Sequence, residues 1–282
     1  MKPLSMLKKD IEFNKGLASL VETLKTIAVS QYKALEQKIK TFRELITTIE
    51  SFFEYIDISH LSHPFLNPKG KGQMVVAVTS DAGLIGGVNM QIVFSAINEL
   101  KKMPGRLVVI GERGRTYASE AGVQFTAFGG IIEEERHSQA VQLRDYLISK
   151  VIDGSFGPLK IIYPRPVSFT VQRVETVPLL PYAPSVKKNV QRVKFHDVIM
   201  ESRPQDIVTY LINVWMGQVL YEIFGFSRLA EFAARFVHLE ESVQKIKDLD
   251  RKLRLQYFRA RHELVDRNMR ELFAARQLFT SR

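Results

Sequence analysis

The densest chemistry in this chain lies in Thr79-Ser80-Asp81-Ala82-Gly83-Leu84-Ile85-Gly86-Gly87-Val88-Asn89-Met90, directly after a short apolar run. A glycine-rich turn between a strand and a helix can cradle phosphate on its backbone N–H groups. No Gly-Lys-Ser/Thr follows, so it is not a P-loop, and the spacing is not GxGxxG. Asp81 is the one carboxylate in the turn that could serve a nucleotide-using enzyme. The other reading, which the residues favour, is a tight turn where Gly83, Gly86 and Gly87 let the chain pass close to a neighbour. The histidines (His60, His63, His137, His196, His238 and His262) offer only an HxxH at 60–63, inside a Pro- and Gly-bearing linker. No HExxH and no Ser/His/Asp set stands out. The expectation is no catalytic residue, no cofactor and no metal.

The elements that would position the turn follow from periodicity. Met74–Thr79 is a β-branched apolar run of strand length, and RLVVI at 106–110, Val123–Ala127 and LKIIY at 159–163 are three more. Helical spacing separates them at Met90–Lys101, Arg113–Ala121 and Glu133–Ile152. Phe169–Val177 and Leu179–Leu180 read as edge strands interrupted by Pro178 and Pro181. Alternating strands and helices predict a Rossmann-like α/β domain with a mostly parallel sheet over 72–190.

Two long helical patterns flank it. Leu211, Val214, Trp215, Val219, Phe226, Leu229, Ala233, Phe236, Val243, Ile246, Leu249 and Leu253 mark one continuous helix over 204–282, with glycine only at Gly217 and Gly225. Such a helix would run on the order of 100 Å. A second stripe, from Leu17 and Val21 through Leu24, Tyr32, Leu35 and Ile39 to Phe53, predicts a helix within 1–58. Neither can bury its stripe alone, so the two are expected to form an antiparallel coiled coil, discontinuous in sequence, around the α/β domain.

Composition narrows the classes. The chain has 282 residues, no cysteine and a formal net charge of +10. Cysteine-ligated metals and disulfides are excluded. No uninterrupted run of 18 apolar residues exists, so no membrane span is expected. Residues 228–282 carry thirteen Lys/Arg against eight Asp/Glu, so the final helix suits an acidic partner.

The motifs resemble one family. TSDAGLIGGVNM is similar to the TSDRGLCGGxN signature of the gamma subunit of F-type ATP synthase. Leu7-Lys8-Lys9-Asp10-Ile11 and LKTIAVS at 24–30 resemble that family's amino-terminal helix; AEFAARFV at 230–237 and YFRAR at 257–261 resemble its SExxARMxAM and YNxxRQ stretches. The resemblance implies a non-catalytic central-stalk rotor that transmits torque between a membrane c-ring and a catalytic ring of alpha and beta subunits. It also implies an epsilon subunit at its foot and proton- or sodium-coupled ATP synthesis or hydrolysis. By motif match, Arg235, Arg261 and His262 would meet the beta-subunit catch, Met200 and Glu201 would face the c-ring, and Gly83, Gly86 and Gly87 would shape the turn. Localisation would be peripheral on the cytoplasmic face of a bacterial inner membrane, preferred over the mitochondrial matrix side, with membrane contact only through the c-ring and no nucleic-acid partner.

The chain departs from the family pattern at Ala82 and Ile85 in the turn, at His262 and Asp266 near the catch, and at Val198 and Met200 in the foot. Its carboxyl tip carries Arg267, Arg270, Arg276 and Arg282 where the family is small and apolar, and charges in a dry sleeve cost several kcal/mol unless paired. The competing classes are a basic coiled-coil scaffold for nucleic acid or a membrane surface, and a nucleotide-using enzyme built on the α/β domain. The scaffold lacks aromatics interleaved with its basic residues; the enzyme lacks a phosphate-binding lysine.

Overall fold

The computed structural model describes residues 2–39, 48–49, 61–183 and 202–280. In chain order the elements are α1 (Leu4–Ile39), β1 (Gln73–Val78), α2 (Val88–Lys102), β2 (Gly105–Ile110), α3 (Glu112–Glu120), β3 (Phe125–Phe128), α4 (Arg136–Ile152), β4 (Leu159–Pro166), β5 (Gln172–Leu180) and α5 (Pro204–Thr280). They form two compact units: Met1–Ala28 with Phe236–Arg282, and Val29–Arg235.

The larger unit is built on a five-stranded sheet in the order β3-β2-β1-β4-β5. All pairings are parallel except β4 with β5. Every residue of β1 is buried, so both faces of the sheet are covered. The period of two sorts its side chains. Met74, Val76 and Val78 join Val108, Ile110, Leu159 and Ile161 on one face, packed by α4 (Ala140, Leu143, Leu147) and α5 (Val208, Ile212, Met216, Leu220, Phe224). Val75 and Ala77 face the other way, with Leu107, Val109 and Ile162, onto α2 and α3 through Ile92, Val93, Ala96 and Ala118. Each fully buried large side chain contributes roughly 1.5–3 kcal/mol. The first stretch of α5 is thus a structural layer of the sheet domain. That layer also accounts for an 18-residue window in α5 with mean hydropathy 1.3, long and apolar enough by composition to cross a membrane, 39% of which is buried inside the protein.

The smaller unit is the antiparallel coil. Val21 packs with Leu239 and Val243, and with Leu24 and Ile246. Lys25 Nζ pairs with Glu240 at 2.8 Å, while Asn14 Nδ2 donates to the Ile246 carbonyl at 3.1 Å. Numbers rise on one helix as they fall on the other. Within the larger unit the same two helices meet through Tyr32, Leu35, Leu229, Phe232 and Ala233.

The expected α/β class, the mostly parallel sheet and the long terminal helices are all present. The finer boundaries differ. The interrupted edge strands are one strand, β5, which runs through Pro178 because an edge position needs no N–H on its outer side. Its tip turn places Phe169 edge-on to Tyr32 with ring centroids 4.7 Å apart. The stretch read as a linker docks: Phe65 is fully buried, His63 Nε2 lies 2.9 Å from Thr209 Oγ1, and the Phe65 N–H donates to His63 Nδ1. The part of the N-terminal helix expected beyond Ile39 falls almost entirely outside the described residues.

Candidate functional site

The glycine turn closes on itself and on α3. Asn89, buried in the first turn of α2, accepts the Ser80 N–H on Oδ1 at 3.1 Å and donates from Nδ2 to Ser80 Oγ at 2.9 Å. Thr79 Oγ1 accepts the Gly114 N–H at 3.0 Å, the Ser80 carbonyl accepts the Arg113 N–H, and Asp81 Oδ1 accepts the Glu112 N–H at 2.9 Å. The residue before α3, Gly111, supplies no side-chain cap. Thr79, Ser80 and Asp81 cap that helix from outside, and the anion at its N-terminus is the protein's own carboxylate.

The glycines divide by role. Gly86 has φ +63° and needs the left-handed region. A Cβ on Gly83 would sit 3.1 Å from Arg113 Nη2, whereas one on Gly87 would meet only the end of Met90 at 4.0 Å. Leu84 also adopts φ +63° without being glycine.

In a doubly wound sheet, ligands bind beyond the carboxyl ends of the strands where the order reverses. Here that point lies between β1 and β4. The crevice is lined by Thr79, Ser80, Asp81 and Asn89 on one side and by Pro164, Ser227, Arg228 and Glu231 on the other, and its volume is about 20 Å³. That is room for one water at most; α5 lies across the opening.

Glu231 is 5% exposed and anchors this closure. Its carboxylate takes Arg228 Nη1 at 2.6 Å and Arg235 Nη2 at 2.5 Å. Both guanidinium carbons lie over the Phe232 ring, at 4.8 and 5.9 Å from its centroid. Arg235, singled out from sequence, is therefore mostly buried and already paired one turn back on its own helix. Arg228 and Glu231, not singled out, complete the cluster. Their signal was visible in principle: Arg-x-x-Glu-x-x-x-Arg places three charges on one helix face at spacings of three and four.

Arg261 and His262 are far from this cluster in sequence and exposed. After Leu253 the burial pattern of α5 ends. Of residues 254–274 only Tyr257 and Ala260 are half-buried; the others, including Leu255, Phe258, Val265, Met269, Leu272 and Phe273, are exposed. At the arginine-rich tip, Arg267 Nε pairs with Glu271 at 3.0 Å, and Arg270 Nε donates to the Asp266 carbonyl. Met200 and Glu201 lie outside the described residues, as does Arg282. Among the described residues no group of three or more His, Asp or Glu is placed to hold a metal ion.

The doubly wound domain thus leaves no ligand-sized crevice here, and the helix that lies across it is one of a pair of long antiparallel helices. A family model described as ATP synthase matches residues 4–277, and the chain belongs to that family. Curated relatives are named ATP synthase gamma chain: that of Desulforamulus reducens is 23% identical over 272 residues, covering 94% of this chain and 95% of the relative. That of Pelotomaculum thermopropionicum is 21% identical, covering 96% and 97%. Among solved structures, a chain of the Euglena gracilis mitochondrial ATP synthase superposes with a TM-score of 0.73 at 15% identity, covering 98% of this chain and 94% of that one. A chain of the Tetrahymena thermophila mitochondrial ATP synthase central stalk and c-ring gives 0.61 at 20% identity, covering 79% and 99%.

Proposed function

We propose that this chain is the central-stalk rotor subunit of an F-type ATP synthase. It carries torque between a c-ring and a catalytic ring of alpha and beta subunits during proton- or sodium-coupled ATP synthesis or hydrolysis, with an epsilon subunit at its foot. The observation that carries this reading is α5: one unbroken helix of 77 residues is a core layer of the sheet domain at its start and half of an antiparallel coil further on. A shaft must be continuous between the part that is driven and the part that drives.

On this reading residues 1–58 and 204–282 supply the shaft and 72–190 the foot. The exposed, alternately apolar and basic end of α5 is the surface for the alpha/beta ring, with Arg261 and His262 free in position to meet carboxylates of a beta subunit. Arg235 joins that contact only by sharing its guanidinium with Glu231. Met200 and Glu201 are assigned to the c-ring face by motif alone. The working place is the cytoplasmic face of a bacterial inner membrane, as the bacterial origin of the curated relatives suggests, with the bilayer reached through the c-ring.

The test is purification of the tagged chain from its native membranes, with mass spectrometry of what accompanies it and an ATPase assay of the eluate. Alpha, beta and epsilon subunits with ATPase activity are the expected result. Nucleic acid or unrelated proteins without ATPase activity would refute the rotor reading.

A further inference from the structure

The only two glycines in α5 fall eight residues apart, and each receives an arginine from α4. A Cβ on Gly217 would lie 3.1 Å from Arg144 Nη1; one on Gly225 would lie 3.0 Å from Arg136 Nη1 and 3.2 Å from Ile39 of α1. Arg136 and Arg144 are themselves eight residues apart, with fully buried Ala140 midway. Tyr221 is midway between the glycines. Residues spaced by four form one ridge of a helix surface, so a ridge of α4 and a ridge of α5 meet antiparallel along two turns. The guanidinium groups occupy the two notches that the glycines leave.

Arg136 is held by more than fit. Its side chain is 3% exposed and its Nη2 donates to Tyr221 Oη at 2.6 Å. Its Cζ lies 4.2 Å from the Tyr221 ring centroid, and Nη1 pairs with Glu133 at 3.2 Å. Yet the site is a poor one for stability. Arg136 is the first residue of α4, where the helix dipole opposes a cation. Its Nε is buried without a hydrogen-bond partner among the described residues. An apolar side chain in such a place is commonly as stable or more so.

We infer that Arg136 and Arg144, seated at Gly225 and Gly217, are keys that fix the rotational position of α5 against the sheet domain, so that torque passes without slip. The apolar contacts of α5 with the sheet are non-directional and can re-form after the helix turns about its axis. The Arg136–Tyr221 hydrogen bond is directional and cannot, and a Cβ in place of either glycine would crowd the guanidinium group seated there, at 3.0–3.1 Å. Turning α5 by one residue's 100° removes both notches from α4. The inference rests on the rotor reading and names the residues through which the foot grips the shaft.

The experiment uses the purified complex in liposomes, recording ATP hydrolysis and ATP-driven ion uptake together against a rising opposing ion gradient. With Arg136→Met plus Arg144→Met, hydrolysis persists, while ions moved per ATP fall by about twofold or more at the steeper gradients. Arg136→Lys does not restore the ratio, since lysine lacks the planar fork. Ratios equal to wild type at every gradient would overturn the inference. If the double variant does not assemble, Tyr221→Phe removes only the hydroxyl that Arg136 binds. A smaller fall in the ratio is expected there, and an unchanged ratio overturns the inference equally. A wild-type complex that hydrolyses ATP without moving ions would refute the rotor reading itself, before the keys come into question.

Discussion

At the scale of single residues, the chain spends its polar groups on its own backbone and helices. Glu231 holds two arginines while nearly excluded from water, so Glu231→Gln leaves both with a weaker acceptor; a loss of about 3 kcal/mol is expected in urea unfolding. Asp81→Ala removes one of the three capping acceptors of α3 and should cost about 1 kcal/mol by the same measurement. His63 gives a pH signature. Burial pushes its imidazole below the ordinary value of 6.5, and its Nδ1 is already accepting an N–H. Above that value both folded and unfolded chains hold it neutral and stability is flat. Below it the unfolded chain takes up a proton that the folded chain resists, so stability falls with pH until the folded group titrates too. The urea midpoint of the wild type should drop as the pH is lowered through and below about 6.5, and less so in His63→Gln. The residue types of the glycine turn were readable from sequence; their partners were not. Nothing local says that Asp81 reaches a helix thirty residues on, or that Arg235 is spoken for by Glu231.

At the scale of elements, periodicity carried most of the fold. Strands, crossover helices and both long helices follow from spacings of two and of three to four. Boundaries differ where the chemistry is ambiguous: Pro178 suggests a break where β5 continues, and the Pro- and Gly-bearing stretch from Ser59 to Gln73 suggests a plain linker although it contains the fully buried Phe65. What periodicity reports is that a face is covered, not by what. The stripe on α5 before residue 235 reads as a coil seam, whereas much of it faces the sheet. That distinction predicts unequal costs. Phe224→Ala empties a site between sheet and helix and should cost about 3–5 kcal/mol. Leu255→Ala, on the exposed stretch, should leave the stability of the isolated chain within about 0.5 kcal/mol of wild type. If Leu255→Ala instead weakens assembly of the purified complex, that stretch is a contact surface.

At the scale of the whole molecule, order along the chain was legible early: helix, α/β domain, helix. The double use of α5 was not, because the contacts that close the crevice join residues near 80, 164 and 228, and no local pattern records such distances. That closure makes a simple prediction: titrating ATP or phosphate into the isolated chain should give no binding heat and no rise in Tm, where a bound ligand would raise it. The Asp81 cap adds a further consequence. An anion tethered to its own seat is present at an effective concentration that free solutes do not match. A part that works beside an engine's fuel thus carries a built-in plug against it. On the rotor reading its stability should therefore be indifferent to the rise and fall of nucleotide and phosphate, and only load should reach it.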